Sequence, residues 1–461
     1  MKTGIILFLI MYSGLVNAQM TITTLPDDNT EHAGTWLQWP HHLTYGTIYR
    51  DRMEPCFTAM TAALVPTEHV NIIAYNNTEK NRIISVLNAN AVPLANITFY
   101  IIQTNDCWAR DNGPMYVYTN AGQLKILDWG FDGWGNDAPY TKDNAVPKKI
   151  SDQTAVPRIN LSAMELEGGA VCVDGAGTFL ATRSSIQGDG RNPALTETDI
   201  NNYLIQYLGV SNIVWLDGLY GGGLDITDTH IDGFATFLDS TTLVTLSNSD
   251  LSYWGITSAD RTILNNMTNA NGNVYTKVIL PLTNKNVKTT WGANVGFKGS
   301  YNNYYVCNSV VLVPTYSDVN DATALSIIQS LYPSKTVVGI DCRNAYFYGG
   351  MVHCLTQQQP VNPTPRMEYC ASTENNAHLT IYPNPASDNI IVQINSNDGQ
   401  TVRISILDMN GKTMLEMPAY ALLEGNNQID LQVSWLPAGL YMVRISGDVE
   451  TQRNGVFQVV H

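Results

Sequence analysis

The sequence predicts an α/β unit followed by a small all-β domain, a β-sandwich. Between residues 20 and about 365, short apolar runs rich in β-branched residues alternate with segments of helical periodicity. Beyond residue 378 the apolar residues alternate with period two between turn residues, and no helical stretch remains. The length of 461 residues suits two or three domains, and 44% hydrophobic against 14% charged residues supplies a packed core.

The chain opens with MKTGIILFLIMYSGLVNAQM. Lys2 is a positive n-region, Gly4 to Leu15 a short apolar run, and Val16-Asn17-Ala18 a small-residue cleavage pattern. Residues 1–18 therefore read as a secretory signal peptide, and no later segment has the ~18–20 apolar residues of a spanning helix. Strands are expected at HVNIIAY (69–75), ITFYII (97–102), GTFLATRSS (177–185), TTLVTLS (241–247) and SVVLVP (309–314). Helices are expected at 196–210, with Ile200, Leu204 and Leu208 on one face, and at 321–333, capped by Asp321 and ended by Pro333. The segment PVNPTPRMEYCASTENNA (360–377) lacks apolar periodicity. It places a linker at 366–377, between a unit of residues 19–365 and a β domain of residues 378–461. Within that domain Asn410-Gly411 signals a two-residue hairpin.

A net charge of -15 disfavours nucleic-acid partners, which need clustered Lys and Arg. Seven cysteines stand at 56, 107, 172, 307, 342, 354 and 370, an odd number for an exported chain, without CxxC or zinc spacing.

Four segments set chemistry-bearing residues beside small ones: CWARDNGPMYV (107–117), LEGGAVCVDGAGTFLATRSS (166–185), DITDTHIDGF (225–234) and GGMVHCLTQQQP (349–360). Singly, each has a plain structural explanation: a surface ion pair, a turn residue, a local His–Asp pair, a buried cysteine. Together they supply three carboxylates, a histidine and a cysteine. Carboxylates match the forked N–H donors of a guanidinium, a thiolate can attack its carbon, and a histidine can protonate the departing ammonia.

These motifs resemble the agmatine deiminase and bacterial peptidylarginine deiminase family, from about Thr35 to Gln359, and SYNNYYVCNSVVLVPTYSDVNDATAL (300–325) is also similar. The resemblance implies a five-bladed, pseudo-fivefold α/β propeller, the pentein fold, and no cofactor or metal. It also implies Cys354 as nucleophile, His230 as general acid and base, and Asp111 and Asp232 as the acids gripping the guanidinium. Glu167 matches the further acid of the agmatine branch, Trp108 a wall of the pocket, and Asn303 a residue near the nucleophile. IYPNPASDNI, ISILDMNGK and LPAGLYMVRI resemble the sorting domain of the type IX secretion system. That implies a secreted or surface-attached protein with the secretion machinery as partner.

The resemblance leaves agmatine, free arginine and peptidylarginine open as substrates. Glu167, DWGFDGWGND (128–137) and the QQQP ending lean towards agmatine. Residues 131–137 carry no arginine to clamp a peptide carboxylate, and Asp132 and Asp137 would repel one. Export leans towards peptidylarginine. The chain departs from the family where THIDG stands for GHxDN and where Cys172 replaces a histidine. A thiol protease and a non-catalytic adhesin are the competing classes. SDVNDA (317–322) and DGWGND (132–137) lack full Ca²⁺-loop spacing and read as turns. GLYGGGLD (218–225) is no phosphate loop and is expected to shape the approach to His230. His353 and Cys354 are neighbours, and in extended chain they point to opposite faces, so His353 is expected behind the site.

Overall fold

In the computed structural model the described residues are 23–362 and 379–460, apart from 121, 189, 220–225, 385, 397–398, 409–411 and 448–451. The signal peptide, the linker at 366–377, Cys370, the Asn410-Gly411 turn and most of GLYGGGLD lie outside them. The chain divides into two compact units, Met1–Arg366 and Met367–His461.

The first unit is α/β and built on one repeated pattern. In five sheets a short first strand runs antiparallel to a second, which pairs in parallel with a third. Helix fills each parallel crossover, as parallel pairing requires. The first strands are Met115–Thr119, Cys172–Val173, Ala235–Asp239, Tyr305–Val306 and Thr356–Pro360. The last of these comes from the end of the unit yet pairs with His32–Gln38 near its start. A hairpin, Leu282–Lys288 with Asn294–Ser300, stands apart from the pattern.

Local sequence accounts for these elements. The runs at 69–75, 97–102, 241–247 and 309–314 contain the strands Val70–Ala74, Ile97–Ile101, Thr242–Leu246 and Val310–Thr315. The run at 177–185 is strand only over Thr178–Thr182, because Ser184–Gln187 turns into a short helix. Helix Glu197–Leu208 starts at a capping box of Thr196 and Asp199, buries Ile200, Leu204 and Leu208, and ends at Gly209 with φ +72°. Asp321 is the first residue of helix Asp321–Leu331 rather than its cap. Its carboxylate instead accepts the Tyr316 and Asp318 N–H groups and the Tyr301 hydroxyl. One hydrophobic core joins the first repeat to the last, with Met53, Phe57 and Met60 packed with Val311, Val313 and Ile340.

The second unit holds two antiparallel sheets. One orders Leu379–Tyr382, Asn389–Ser396 and Gly425–Gln432; the other orders Thr413–Leu422, Gln400–Asp408, Gly439–Ser446 and Gln452–Val459. Ile390, Val392 and Ile394 alternate inward and share one core with Ile404, Ile406, Val443, Ile445 and Phe457. Among the described residues no helix is long and apolar enough to cross a membrane.

Candidate active site

The residues singled out in the sequence stand at equivalent places in the repeats. Asp111 precedes the strand Met115–Thr119, Glu167 precedes Cys172–Val173, and His230 and Asp232 precede Ala235–Asp239. Asn303 precedes Tyr305–Val306, and Cys354 precedes Thr356–Pro360. Each lies in the short connection entering the first strand of its sheet.

These connections bring the side chains together. Cys354 is half-buried, and its Sγ accepts from Asn303 Nδ2 at 3.2 Å and lies 3.7 Å from Asp232 Oδ2. Asn303 Oδ1 accepts the His353 N–H at 2.9 Å, which fixes the turn carrying the cysteine. The indole of Trp108 packs under Gly350, where a Cβ would sit 2.4 Å from the ring and 3.0 Å from Cys354 Cβ. His230 Nε2 and Glu167 Oε2 are 2.6 Å apart, while His230 Nδ1 is 3.7 Å from Asp111 Oδ1 and has no hydrogen bond. Gly169 faces this space. A Cβ there would lie 2.5 Å from His230 Nδ1, 2.8 Å from Asp111 Oδ1 and 3.2 Å from Asp232 Oδ2. Three polar atoms thus converge on Gly169 so closely that only glycine fits there.

Further residues, not identified from sequence, hold this group in place. Trp134 Nε1 donates to Asp111 Oδ2 at 3.0 Å, and the Gly169 N–H donates to Oδ1 at 3.0 Å. Trp134 reaches Asp111 through a left-handed turn in which Gly133, Trp134, Gly135 and Asn136 all have φ between +58° and +81°. The glycines of DGWGN are the one sequence signal for it. Asp132 Oδ1 caps this turn by accepting the Gly135 N–H at 2.8 Å, so that carboxylate is engaged locally and only Asp137 is exposed. Buried Arg191 donates from Nε to Glu167 Oε1 at 2.7 Å and pairs through Nη1 with Asp228. It lies 24 positions after Glu167, and no motif marked it. Asp228 and Thr229 are also left-handed, and their carbonyls accept the Ser184 and Thr182 hydroxyls, which pins the approach to His230. Arg110 is not a surface partner of Asp111. It is buried and donates to the His353 carbonyl at 3.3 Å.

Residues 353–355 form a 3₁₀ turn, not the extended chain that the sequence predicts. The side chains still differ in role: Cys354 faces Asn303 and Asp232, while His353 Nδ1 pairs with Asp232 Oδ2 at 2.8 Å and Nε2 lies 3.8 Å from Asp28.

The electrostatics follow from burial and mutual charge. Burial works against a charged His230, but Asp111, Glu167 and Asp232 offset it and raise its pKa to about 9. Burial raises Asp111 to about 6, with Glu167 and Asp232 adding to it and His230 and the Trp134 N–H opposing. Burial would raise Asp232 too, but His353 holds it below the ordinary carboxylate range. Cys354 is pushed well above the ordinary thiol range by burial and then by the charges of Asp232 and Asp111. The site is therefore set for a cation and holds a neutral thiol.

Residues 24–360 match the family described as Porphyromonas-type peptidyl-arginine deiminase. The chain belongs to this family. A candidate agmatine deiminase of Listeria monocytogenes is 30% identical over 358 residues, 73% of this chain and 96% of that protein. One from Latilactobacillus sakei is 31% identical over 361 residues, 73% and 95% of the two chains. Among solved structures, the agmatine deiminase of Enterococcus faecalis superposes with a TM-score of 0.63 at 28% identity, covering 73% of this chain and 96% of that one. A candidate arginine deiminase from Porphyromonas gingivalis gives 0.65 at 30%, covering 74% and 99%. The fold of the first unit is thus the α/β pentein fold, and the chain is a guanidine deiminase, a hydrolase of amidine C–N bonds. Residues 380–456 match a secretion system C-terminal sorting domain, which implies export.

Proposed function

We propose that this deiminase converts agmatine to its ureido product and ammonia, with Cys354 as nucleophile and His230 as acid and base. The observation that carries the reading is the convergence of His230 Nδ1, Asp111 Oδ1 and Asp232 Oδ2 around Gly169, with Asp232 Oδ2 3.7 Å from the Cys354 sulfur.

A bound guanidinium offsets the two carboxylate charges that hold the thiol neutral, so the thiol proton is lost to solvent as the substrate cation binds. The thiolate then attacks the guanidinium carbon and forms a C–S bond. His230, protonated near neutral pH, gives its proton to the leaving nitrogen. The C–N bond breaks, ammonia departs, and an amidino-thioether remains on Cys354. Neutral His230 takes a proton from water, and the hydroxide adds to the same carbon. Collapse breaks the C–S bond, the added hydroxyl gives its proton to solvent as the C=O forms, and the ureido product leaves with the thiolate restored. Asp111 and Asp232 act by position as charge redistributes. Trp108 walls the pocket, and Asn303 Nδ2 donates to the sulfur.

Agmatine is favoured because it has no carboxylate and carries a second amine cation, and because residues 131–137 hold no basic clamp. Peptidylarginine is the second reading, supported by the sorting domain and the family description. We assign the five sheets to the blades of a five-bladed propeller of residues 19–365, and the two C-terminal sheets to a β-sandwich that addresses the chain to the type IX secretion machinery. A signal peptide at 1–18 starts export, and 366–377 is the linker.

Incubation of the exported protein with agmatine, free arginine and a peptide ending in arginine tests the reading, with ammonia and ureido product measured. Agmatine is expected to turn over fastest. Preference for the peptide favours the second reading, and no ammonia from any of the three overturns both. Cys354→Ser abolishes turnover, whereas His353→Ala leaves a residue of activity because it only supports Asp232.

A further inference from the structure

We propose that Cys56 and Cys342 form a disulfide in the exported protein and so fasten the first repeat of the deiminase unit to the last. Their sulfurs lie 3.7 Å apart, and both residues are buried. Among the described cysteines no other two sulfurs lie in hydrogen-bonding contact. Cys56 sits in helix His42–Leu64, the crossover of the first repeat. Cys342 directly follows the strand Thr336–Asp341 of the last repeat and caps the helix Arg343–Phe347. Both belong to the one core shared by these repeats.

Three observations carry the inference. The sorting-domain match implies a compartment outside the cytoplasm, where disulfides form and persist. The sulfurs need to approach only from 3.7 Å to about 2.05 Å. The cross-link also closes a loop spanning most of the deiminase unit, the case in which constraining the unfolded chain has its largest effect. Bonding joins the same two repeats that strand Thr356–Pro360 joins by pairing with His32–Gln38, so it covalently secures a seam held otherwise by hydrogen bonds and packing.

The chemistry balances through thiol–disulfide exchange. Each thiol loses its hydrogen as a proton, one S–S bond forms, and two electrons pass to the disulfide of a thiol oxidoreductase, which becomes a dithiol. Because both sulfurs are sealed in the core, the bond forms as the two repeats close on each other and is then shielded from reductant. Cys354, half-buried and engaged with Asn303 and Asp232, stays a free thiol.

The exported wild-type chain, collected without reductant, is alkylated under denaturing conditions and mapped by mass spectrometry. The expected result is a peptide pair joining Cys56 to Cys342, two hydrogens lighter than the separate peptides and lost on reduction, with Cys354 alkylated. Alkylation of both Cys56 and Cys342, or either one bonded to another cysteine, overturns the proposal. The measurement needs no variant and no activity, so its failure is separate from failure of the deiminase reading. As a second readout, Cys56→Ser is expected to lower Tm by roughly 5 °C or more in unreduced protein, and an unchanged Tm counts against the cross-link.

Discussion

The substitution Gly169→Ala tests the site most directly. Its added carbon would stand 2.5 Å from His230 Nδ1 and 2.8 Å from Asp111 Oδ1, closer than real Cβ contacts allow. No backbone atom is among the three nearest, so the fold has no reason to fail; what must move are the side chains of His230 and Asp111. Neither can move freely. His230 is held by Glu167 at 2.6 Å, and Asp111 by Trp134 and by the Gly169 N–H itself. Relieving the contacts displaces the imidazole or the carboxylate by about 1 Å, an error that costs on the order of 100-fold in catalysis. We therefore expect kcat/KM for agmatine to fall at least about 100-fold, equivalent to about 2.7 kcal/mol. Thermal unfolding should change by no more than a few degrees. Steady-state ammonia release and a melting curve on the same preparation measure both. A variant that keeps more than half of wild-type kcat/KM would refute the placement of the substrate beside Gly169.

Other substitutions and probes address the charges. Glu167→Gln removes one of three carboxylates that keep His230 protonated to about pH 9. The alkaline limb of the kcat/KM profile is expected to move down by roughly one to two pH units. That rise from 6.5 to about 9 also links to stability, worth about 3 kcal/mol. Because the folded pKa is the higher one, this contribution is whole below pH 6.5 and disappears as pH climbs through about 9, which urea midpoints measured at pH 6 and 9.5 will show. Trp134→Phe removes a donor that favours ionised Asp111, already raised to about 6. The acid limb should move up by about one pH unit, from a hydrogen bond to a charged group worth about 1.5–3 kcal/mol. Iodoacetamide should inactivate the free enzyme at a rate that keeps rising beyond pH 9, because Cys354 is held above the ordinary thiol range. A plateau near pH 7 would contradict the neutral thiol.

The residues of the candidate site are legible in the sequence because their chemistry is rare in combination, while the residues that support them are not. Cys354, His230, Asp111, Asp232 and Glu167 each stand beside glycines or turn residues that a reader can see. Arg191 contacts Glu167 only because helix Ser184–Gln187 and the turn after it carry it back; nothing local distinguishes it from a surface arginine. Trp134 required a run of left-handed residues, and a tryptophan at φ +58° is one that no propensity would place there. The internal repeat was hidden for a different reason. Its regularity lies in strand direction, whereas its crossovers range from a 23-residue helical segment broken at Gly46 in the first repeat to two short helices in the fourth. Backbone pairing repeats without the side-chain spacing repeating.

That topology also sets Cys354 against side chains distant in sequence, Asn303 and Asp232. Each repeat contributes the connection before its first strand, so residues meeting at the site come from separate repeats and are distant in sequence. His353 lies in the same connection as Cys354 and has another task. It pairs with Asp232 and approaches Asp28, placing a protonatable group behind the carboxylate nearest the sulfur. Burial opposes its protonation, as does Arg110, yet Asp232 and Asp28 raise its pKa. With His353 hydrogen-bonded to it, Asp232 stays ionised at pH values where Asp111, which faces His230 only at 3.7 Å and without a hydrogen bond, begins to take up a proton. The two acids of the cage are thus unequal: Asp232 is a fixed anion, and Asp111 depends on His230 and on the bound cation. Loss of activity on acidification should therefore follow Asp111 near pH 6 rather than Asp232.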